Sequence, residues 1–394
     1  MRFIHVPELE AAEAADLPSR FGKFYAPSGP VTLAPELSVS APGLELVELE
    51  GELLALAPES VSWAFVDRHE AELLRSLQPA RSVSWMRAQW PAGADAFVTT
   101  LFRRGLLALD GHLAIDRTIF HDSSNTPDGH LVELLLTEKC NLACGYCLAG
   151  ANPKMPTMTE DIARGAVDLA FGMEEAPALT FEFSGGEPFL QFRRMRALVD
   201  YIRSHPRRHG RPVYFTVQTN CTVLDEERVQ WLLDNEVSVG ISLDGNPASH
   251  NVSRPLVNGR ESFSRVLRGL DLLQGAGIQF GVLVVLNRSN VASAQALIDF
   301  LVENDIHSLK INPIAYLGTG RASWSDLGLE ADEVLAYFQD FGRRVAAQRR
   351  LIREANLGSM CEFWVSKRRS DRCLRSHCGA GETFQAISAS TTVV

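Results

Sequence analysis

Three of the chain's seven cysteines, Cys140, Cys144 and Cys147, fall within eight residues in a C-x₃-C-x₂-C pattern. Thiolates at this spacing on one loop suit a soft metal ion or an iron–sulfur cluster. Three are one short of a closed four-cysteine site. Such a loop either recruits a distant ligand or leaves one metal position open for substrate. An open-site cluster accounts for the count; a structural zinc completed by a histidine is the alternative. Cys361, Cys373 and Cys378 lie near the C-terminus, and Cys221 stands alone. In a reducing compartment, clustered cysteines read as metal or redox ligands before disulfides.

The elements that carry this loop show in the hydropathy pattern. Apolar runs at Leu131–Leu136, Leu179–Ser184, Val213–Gln218, Val237–Leu243, Phe280–Leu286 and Ser308–Ile311 predict strands. Amphipathic stretches near 159–173, 191–204, 225–235, 261–275 and 291–304 predict helices between them, with caps at Thr159 and Asp225. Near-continuous apolar strands alternating with helices imply parallel βα units buried on both faces. Six units predict an α/β open or partial barrel; a doubly wound sheet is the competing topology. The cysteines follow the first strand, and the carboxyl ends of such strands build active sites.

Residues before about 120 are patterned differently. Residues 1–43 are Pro-rich and left unassigned. LELVELEGELLAL reads as a hairpin around Gly51, and 66–77 and 95–104 read as helices, the second with Gly105 as C-cap. Together they predict a winged-helix-like module over 44–115, a linker over 116–130, the barrel over 131–325 and a C-terminal extension over 326–394. Acidic residues exceed basic ones, 48 against 38, which argues against a nucleic-acid partner. No apolar run approaches the ~20 residues of a membrane span, and the acidic N-terminus is unlike a signal peptide. A cytoplasmic protein with no membrane partner is expected.

Strand Leu179–Ser184 runs into Gly185-Gly186-Glu187-Pro188. Two glycines let a backbone approach a ligand closely, and Glu187 offers a carboxylate to a cationic group. With the cysteine loop, this motif resembles the radical S-adenosylmethionine (SAM) superfamily over about 131–322. The resemblance implies a partial (β/α)₆ TIM-like barrel and a [4Fe–4S] cluster held by Cys140, Cys144 and Cys147, with SAM chelating the fourth iron. It places Tyr146 near the adenine and Gly185, Gly186, Glu187 and Pro188 at the SAM amino group. In ISLDGNPASHNVSRP, it implies that Ser242 and Arg254 contact SAM, Arg254 through the SAM carboxylate. Asp244 reads equally as a turn residue, and His250 as a structural hydrogen-bonder or a substrate contact. Gln218-Thr219-Asn220-Cys221-Thr222 is similar to the family's QTNGT turn, with Cys221 as a buried thiol at the glycine position. Gly318–Ala322 (GTGRA) matches a glycine–arginine exit after the sixth strand.

His377–Glu382 (HCGAGE) resembles the start of a SPASM domain, but no cysteine follows Cys378, so the extension is truncated relative to that domain. Cys361, Cys373 and Cys378 are either ligands of one auxiliary iron–sulfur cluster or, the favoured reading, unligated thiols. The branch resembled is that of ribosomal-peptide maturases, most similar to the His-Xaa-Ser and cyclophane-forming types. It implies a precursor peptide whose leader binds the N-terminal module. It also implies an electron donor such as flavodoxin or ferredoxin, and a 5′-deoxyadenosyl radical that initiates a side-chain crosslink. Thioether-forming and formylglycine-type maturases, and a non-catalytic peptide-binding partner, are the alternatives. No residue is assigned as the catalytic group.

Overall fold

The computed structural model describes residues 31–49, 51–60, 62–113, 129–173, 176–348, 352–366 and 383–389. The chain divides into two units, residues 1–125 with 359–378 and residues 126–358 with 379–394.

The first unit begins with β1 (Ser38–Ser40), from the stretch left unassigned by sequence. The expected hairpin is β2 (Glu45–Leu49) and β3 (Glu52–Ala57), turning at Gly51 with φ +87°. A third strand, β4 (Ser62–Val66), extends it into an antiparallel meander whose edges, among the described residues, are β2 and β4. The helix expected from 66 therefore starts later, as α1 (Arg68–Ser76), because Asp67 and Glu70 form a reciprocal capping box. Then follow β5 (Arg81–Ser82), α2 (Val83–Gln89), α3 (Ala94–Arg103), β6 (Ala108–Leu109) and β7 (His112–Leu113). Strand β1 pairs antiparallel with β5 and β6. Leu74, Met86, Phe97, Leu101 and Leu106 fill this unit's own core.

In the second unit, β8 (His130–Thr137), β9 (Leu179–Gly185), β10 (Val213–Thr219), β11 (Val237–Ser242), β12 (Phe280–Leu286) and β13 (Ser308–Pro313) are the six expected strands. They pair in parallel, each with its neighbour in sequence. An order without reversal has no topological switch point, so the barrel topology holds and the doubly wound one is excluded. The helices between them are α4 (Glu160–Phe171), α5 (Phe192–Arg203), α6 (Glu226–Asp234), α7 (Pro247–Ser253), α8 (Phe263–Gly275) and α9 (Ala294–Glu303), followed by α10 (Ala331–Ala347).

Two short strands correct the count of six. After β13, β14 (Arg353–Glu354) adds to one edge, and β15 (Phe384–Ile387) pairs with β8 at the other, giving eight parallel strands among the described residues. Strands β14 and β15 do not pair with each other, so the barrel stays open. Burial alternates rather than covering both faces: Val132, Leu134 and Leu136 are buried, whereas Leu131, Glu133 and Leu135 are half-buried. One face packs with the helices in a single large core that includes Val132, Phe181, Phe183, Val167 and Leu198, and the other is only partly covered.

Candidate cofactor site at the carboxyl ends of the strands

The cysteine loop leaves β8 and is stitched to three neighbouring segments. Gly186 N–H donates to Thr137 O (2.7 Å) and Glu187 N–H to Lys139 O (2.9 Å). On another side, Ala143 N–H donates to Pro255 O (2.8 Å), Gly145 N–H to Ser253 O (3.1 Å) and Val257 N–H to Asn141 O (3.1 Å). On the third, Thr319 donates its N–H to Cys147 O (3.0 Å) and its hydroxyl to Cys144 O (3.0 Å). The glycines follow from this crowding. A Cβ at Gly186 would lie 2.2 Å from Lys139 O, and one at Gly318 2.1 Å from Cys147 O. The close approach read from the Gly185–Gly186 pair is thus an approach to the cysteine loop itself.

Glu187 is fully buried and already engaged. Its carboxylate accepts from Phe189 N–H (3.1 Å), Thr219 Oγ1 (2.9 Å) and Asn220 N–H (2.8 Å), tying the turn after β9 to the turn after β10. Pro188 follows it at the first position of a short helical turn, where no backbone donor is needed. Burial pushes the Glu187 carboxyl up to about 7 against the pull of those donors. Next to Asn220, Cys221 has φ +65°, which explains a glycine preference there. Its side chain is buried as expected, against Gly269, where a Cβ would sit 2.5 Å from Cys221 Sγ.

All five described cysteines are free thiols: Cys140 is buried, Cys144 and Cys147 half-buried. Leu142 N–H (3.4 Å) and Asn220 Nδ2 (3.7 Å) donate to Cys140 Sγ, and Ala151 N–H (3.4 Å) donates to Cys147 Sγ. Burial pushes the Cys140 thiol to about 11 and Cys144 to about 12, so metal binding here must release protons. Among the described residues no three His, Cys, Asp or Glu converge as on a single ion.

Asp244, which the sequence left undecided, is the hub of the site. Its carboxylate has no exposed surface and accepts from Val285 N–H (3.0 Å), Arg254 Nη2 (3.3 Å) and the Tyr146 hydroxyl. Arg254 Nε is 3.1 Å from Asp244 Oδ2 but out of hydrogen-bond alignment, so a buried donor is left open. The guanidinium lies 5.2 Å from the centre of the Tyr146 ring. Burial works against the Arg254 charge, but Asp244, Tyr146 and Cys144 together outweigh it and hold the guanidinium ionised. His250 is structural: Asp244 N–H donates to its Nδ1 (3.3 Å), and Nε2 meets Ser262 Oγ (3.0 Å), which donates to Arg254 O (2.5 Å). Ser242 Oγ accepts from Gln218 Nε2 (2.9 Å).

The fold therefore gathers Cys140, Cys144, Tyr146, Cys147, Gly185 to Pro188 and Arg254 around one loop. Sequence reading missed Asp244 as hub, Asn220 as a donor to sulfur and Thr319 as a clamp. Only their motif membership hinted at them. Cys361 is exposed, and Cys373 and Cys378 lie outside the described residues. The open buried donor at Arg254 and the N–H groups on two of the sulfurs fit a bound [4Fe–4S] cluster with SAM.

The sequence profile of the Radical SAM superfamily matches residues 134–301. The serine-type anaerobic sulfatase-maturating enzyme of Bacteroides thetaiotaomicron is 28% identical over 235 residues, 58% of this chain and 51% of that protein. The Fe-coproporphyrin III synthase of Methanosarcina barkeri is 32% identical over 201 residues, 50% of this chain and 47% of that protein. The chain thus spans about half the length of these relatives. The structure of native anSMEcpe with bound AdoMet matches 67% of this chain and 73% of that one, with a TM-score of 0.57 at 21% identity, a likeness of fold. Residues 134–301 are a radical SAM domain, the domain of a superfamily that uses a [4Fe–4S] cluster and SAM, and the chain is homologous to the anaerobic sulfatase-maturating enzymes.

Proposed function

We propose that this chain is a radical SAM maturase that modifies a ribosomally synthesised peptide in the cytoplasm, a cyclophane-like side-chain crosslink being the favoured product. The observation that carries the reading is the cysteine loop at the open end of the barrel, with N–H donors on its sulfurs and Arg254 beneath it. When bound, the reduced cluster and SAM supply a 5′-deoxyadenosyl radical for hydrogen abstraction. Cys140, Cys144 and Cys147 would hold three irons. Arg254 would take the SAM carboxylate through the guanidinium donors that Asp244 leaves unused, and Ser242 would lie alongside. Gly185, Gly186 and Pro188 shape the turn at the SAM amino group; Glu187, spent on chain donors, acts by fixing that turn.

The N-terminal unit supports the peptide reading. Among the described residues its meander pairs β2 and β4 on one side only, and a leader can add as a strand to such an edge. A flavodoxin- or ferredoxin-type carrier would supply the electron. The sulfatase-maturating relatives favour a second reading, oxidation of a Ser or Cys side chain to formylglycine.

The test is anaerobic reconstitution with iron and sulfide, then dithionite and SAM. About four irons per chain with 5′-deoxyadenosine formation supports the assignment. Iron-free protein would leave a peptide-binding partner without catalysis, and retained cleavage in Cys144→Ala would sink the cysteine assignment. An aldehyde-reactive probe on the treated peptide separates formylglycine from a crosslink.

A further inference from the structure

We propose that Asp244 is a positioning residue for SAM: it sets the guanidinium of Arg254 and the ring of Tyr146 in one arrangement before SAM arrives. The proposal rests on the reading of Arg254 as the partner of the SAM carboxylate. Sequence alone suggests that the Arg254 charge is free for that task. It is instead paired in advance, with a carboxylate 98 residues from Tyr146 and 10 from itself.

Three features make this pairing a device for orientation rather than a competitor for the charge. Asp244 takes its donors from three separate segments: the cysteine loop through Tyr146, the end of α7 through Arg254, and β12 through Val285 N–H. The two partners are also joined through their backbones, by the chain Asp244 N–H, His250, Ser262 and Arg254 O. A guanidinium presents five N–H groups. Among the described residues, Nη2 is hydrogen-bonded to Asp244 while Nε is buried without a hydrogen bond and no bond to Nη1 is found. The Asp244 contact thus fixes the plane of the fork and leaves donors on it for a second, external carboxylate. Tyr146, between Cys144 and Cys147, donates to the other oxygen of the same carboxylate, so the loop and the arginine are set together.

Asparagine in place of Asp244 keeps the shape, but its amide must turn an NH₂ toward donors. With its oxygen kept on Val285 N–H and Arg254 Nη2, its NH₂ can donate only to the Tyr146 hydroxyl and faces Arg254 Nε, so the ion pair that orients the guanidinium is lost. The experiment measures the SAM dissociation constant and the iron content of the anaerobically reconstituted full chain. In Asp244→Asn, iron should stay at the wild-type level while SAM binding weakens about tenfold or more. Arg254→Lys should weaken SAM binding too, and the double variant should be no weaker than Arg254→Lys alone, since Asp244 acts through Arg254. Asp244→Ser, which is smaller and admits water, should behave like Asp244→Asn and serves if that variant does not fold. Unchanged SAM affinity in either variant, additive losses in the double variant, or iron lost together with SAM would each overturn the proposal. Wild-type protein that takes up iron but no SAM would overturn the functional reading itself, a result distinct from an indifferent variant.

Discussion

His250 accepts the Asp244 N–H at one ring nitrogen and meets Ser262 at the other, so charging the ring would break a buried relay. Burial first, and Arg254 next, lower its pKa from the usual 6.5 to about 4. Between those values the unfolded chain binds a proton that the folded chain refuses, so stability falls as pH drops from 6.5 towards 4. The shift corresponds to roughly 3 kcal/mol. Glu187, raised to about 7, works in the opposite sense over much of this range, so the His250 contribution is read as a difference: in urea unfolding of the apoprotein, His250→Asn should lose less stability than wild type as pH falls, and parallel curves for the two proteins would refute the assignment. Glu187→Ala strands three buried donors and should cost roughly 1–3 kcal/mol by the same assay. At this scale the sequence was legible where residue type and short spacing carry the meaning: three cysteines on one loop, two glycines and a glutamate on the next. It left Asp244 undecided, because its value lies in contacts with Tyr146 and Val285, 98 and 41 residues away.

Glycines report how the elements sit against one another. Gly186 and Gly165 differ only in surroundings: a Cβ at Gly186 would collide with Lys139 O, while one at Gly165, inside α4, would meet nothing within 4 Å. Gly165→Ala should therefore stabilise the protein by about 0.5–1 kcal/mol, read from the unfolding midpoint. Gly186→Ala should displace the cysteine loop and lower the iron retained after reconstitution; full retention would contradict the stitching. The six barrel strands and helices α4, α5, α6, α8 and α9 were predicted within a few residues because their apolar runs are long and their caps explicit, as at Thr159 and Asp225, whereas the short α7 was not. Elements with two or three residues, such as β5, β6, β7 and β14, carry no periodicity to read. Strand β4 was hidden because SWAFV runs straight into the apolar pattern of α1.

At the scale of the whole molecule, the open sheet has two edges to protect. Residues 384–387 cover one by pairing with 131–134 of β8, the strand that leads into the cysteine loop. Removal of residues 383–394 should lower the melting temperature and promote association through the bared β8 edge, seen as light scattering on heating. A truncated chain as stable and as monomeric as the full one would show that β15 is dispensable. The sequence placed six strands but not this return to the first, since FQAI is too short to announce its partner 250 residues earlier. The three-sided anchoring of the cysteine loop also bears on the order of assembly. Backbone partners from segments after β9, α7 and β13 give the loop supports of its own besides any metal, in contrast to zinc fingers, whose fold waits for the metal. The chain is then expected to fold before it is loaded: limited proteolysis of the iron-free protein should leave the cysteine loop as resistant as in the reconstituted one, and cleavage within the loop of the iron-free form alone would show that the metal, not the stitching, orders it.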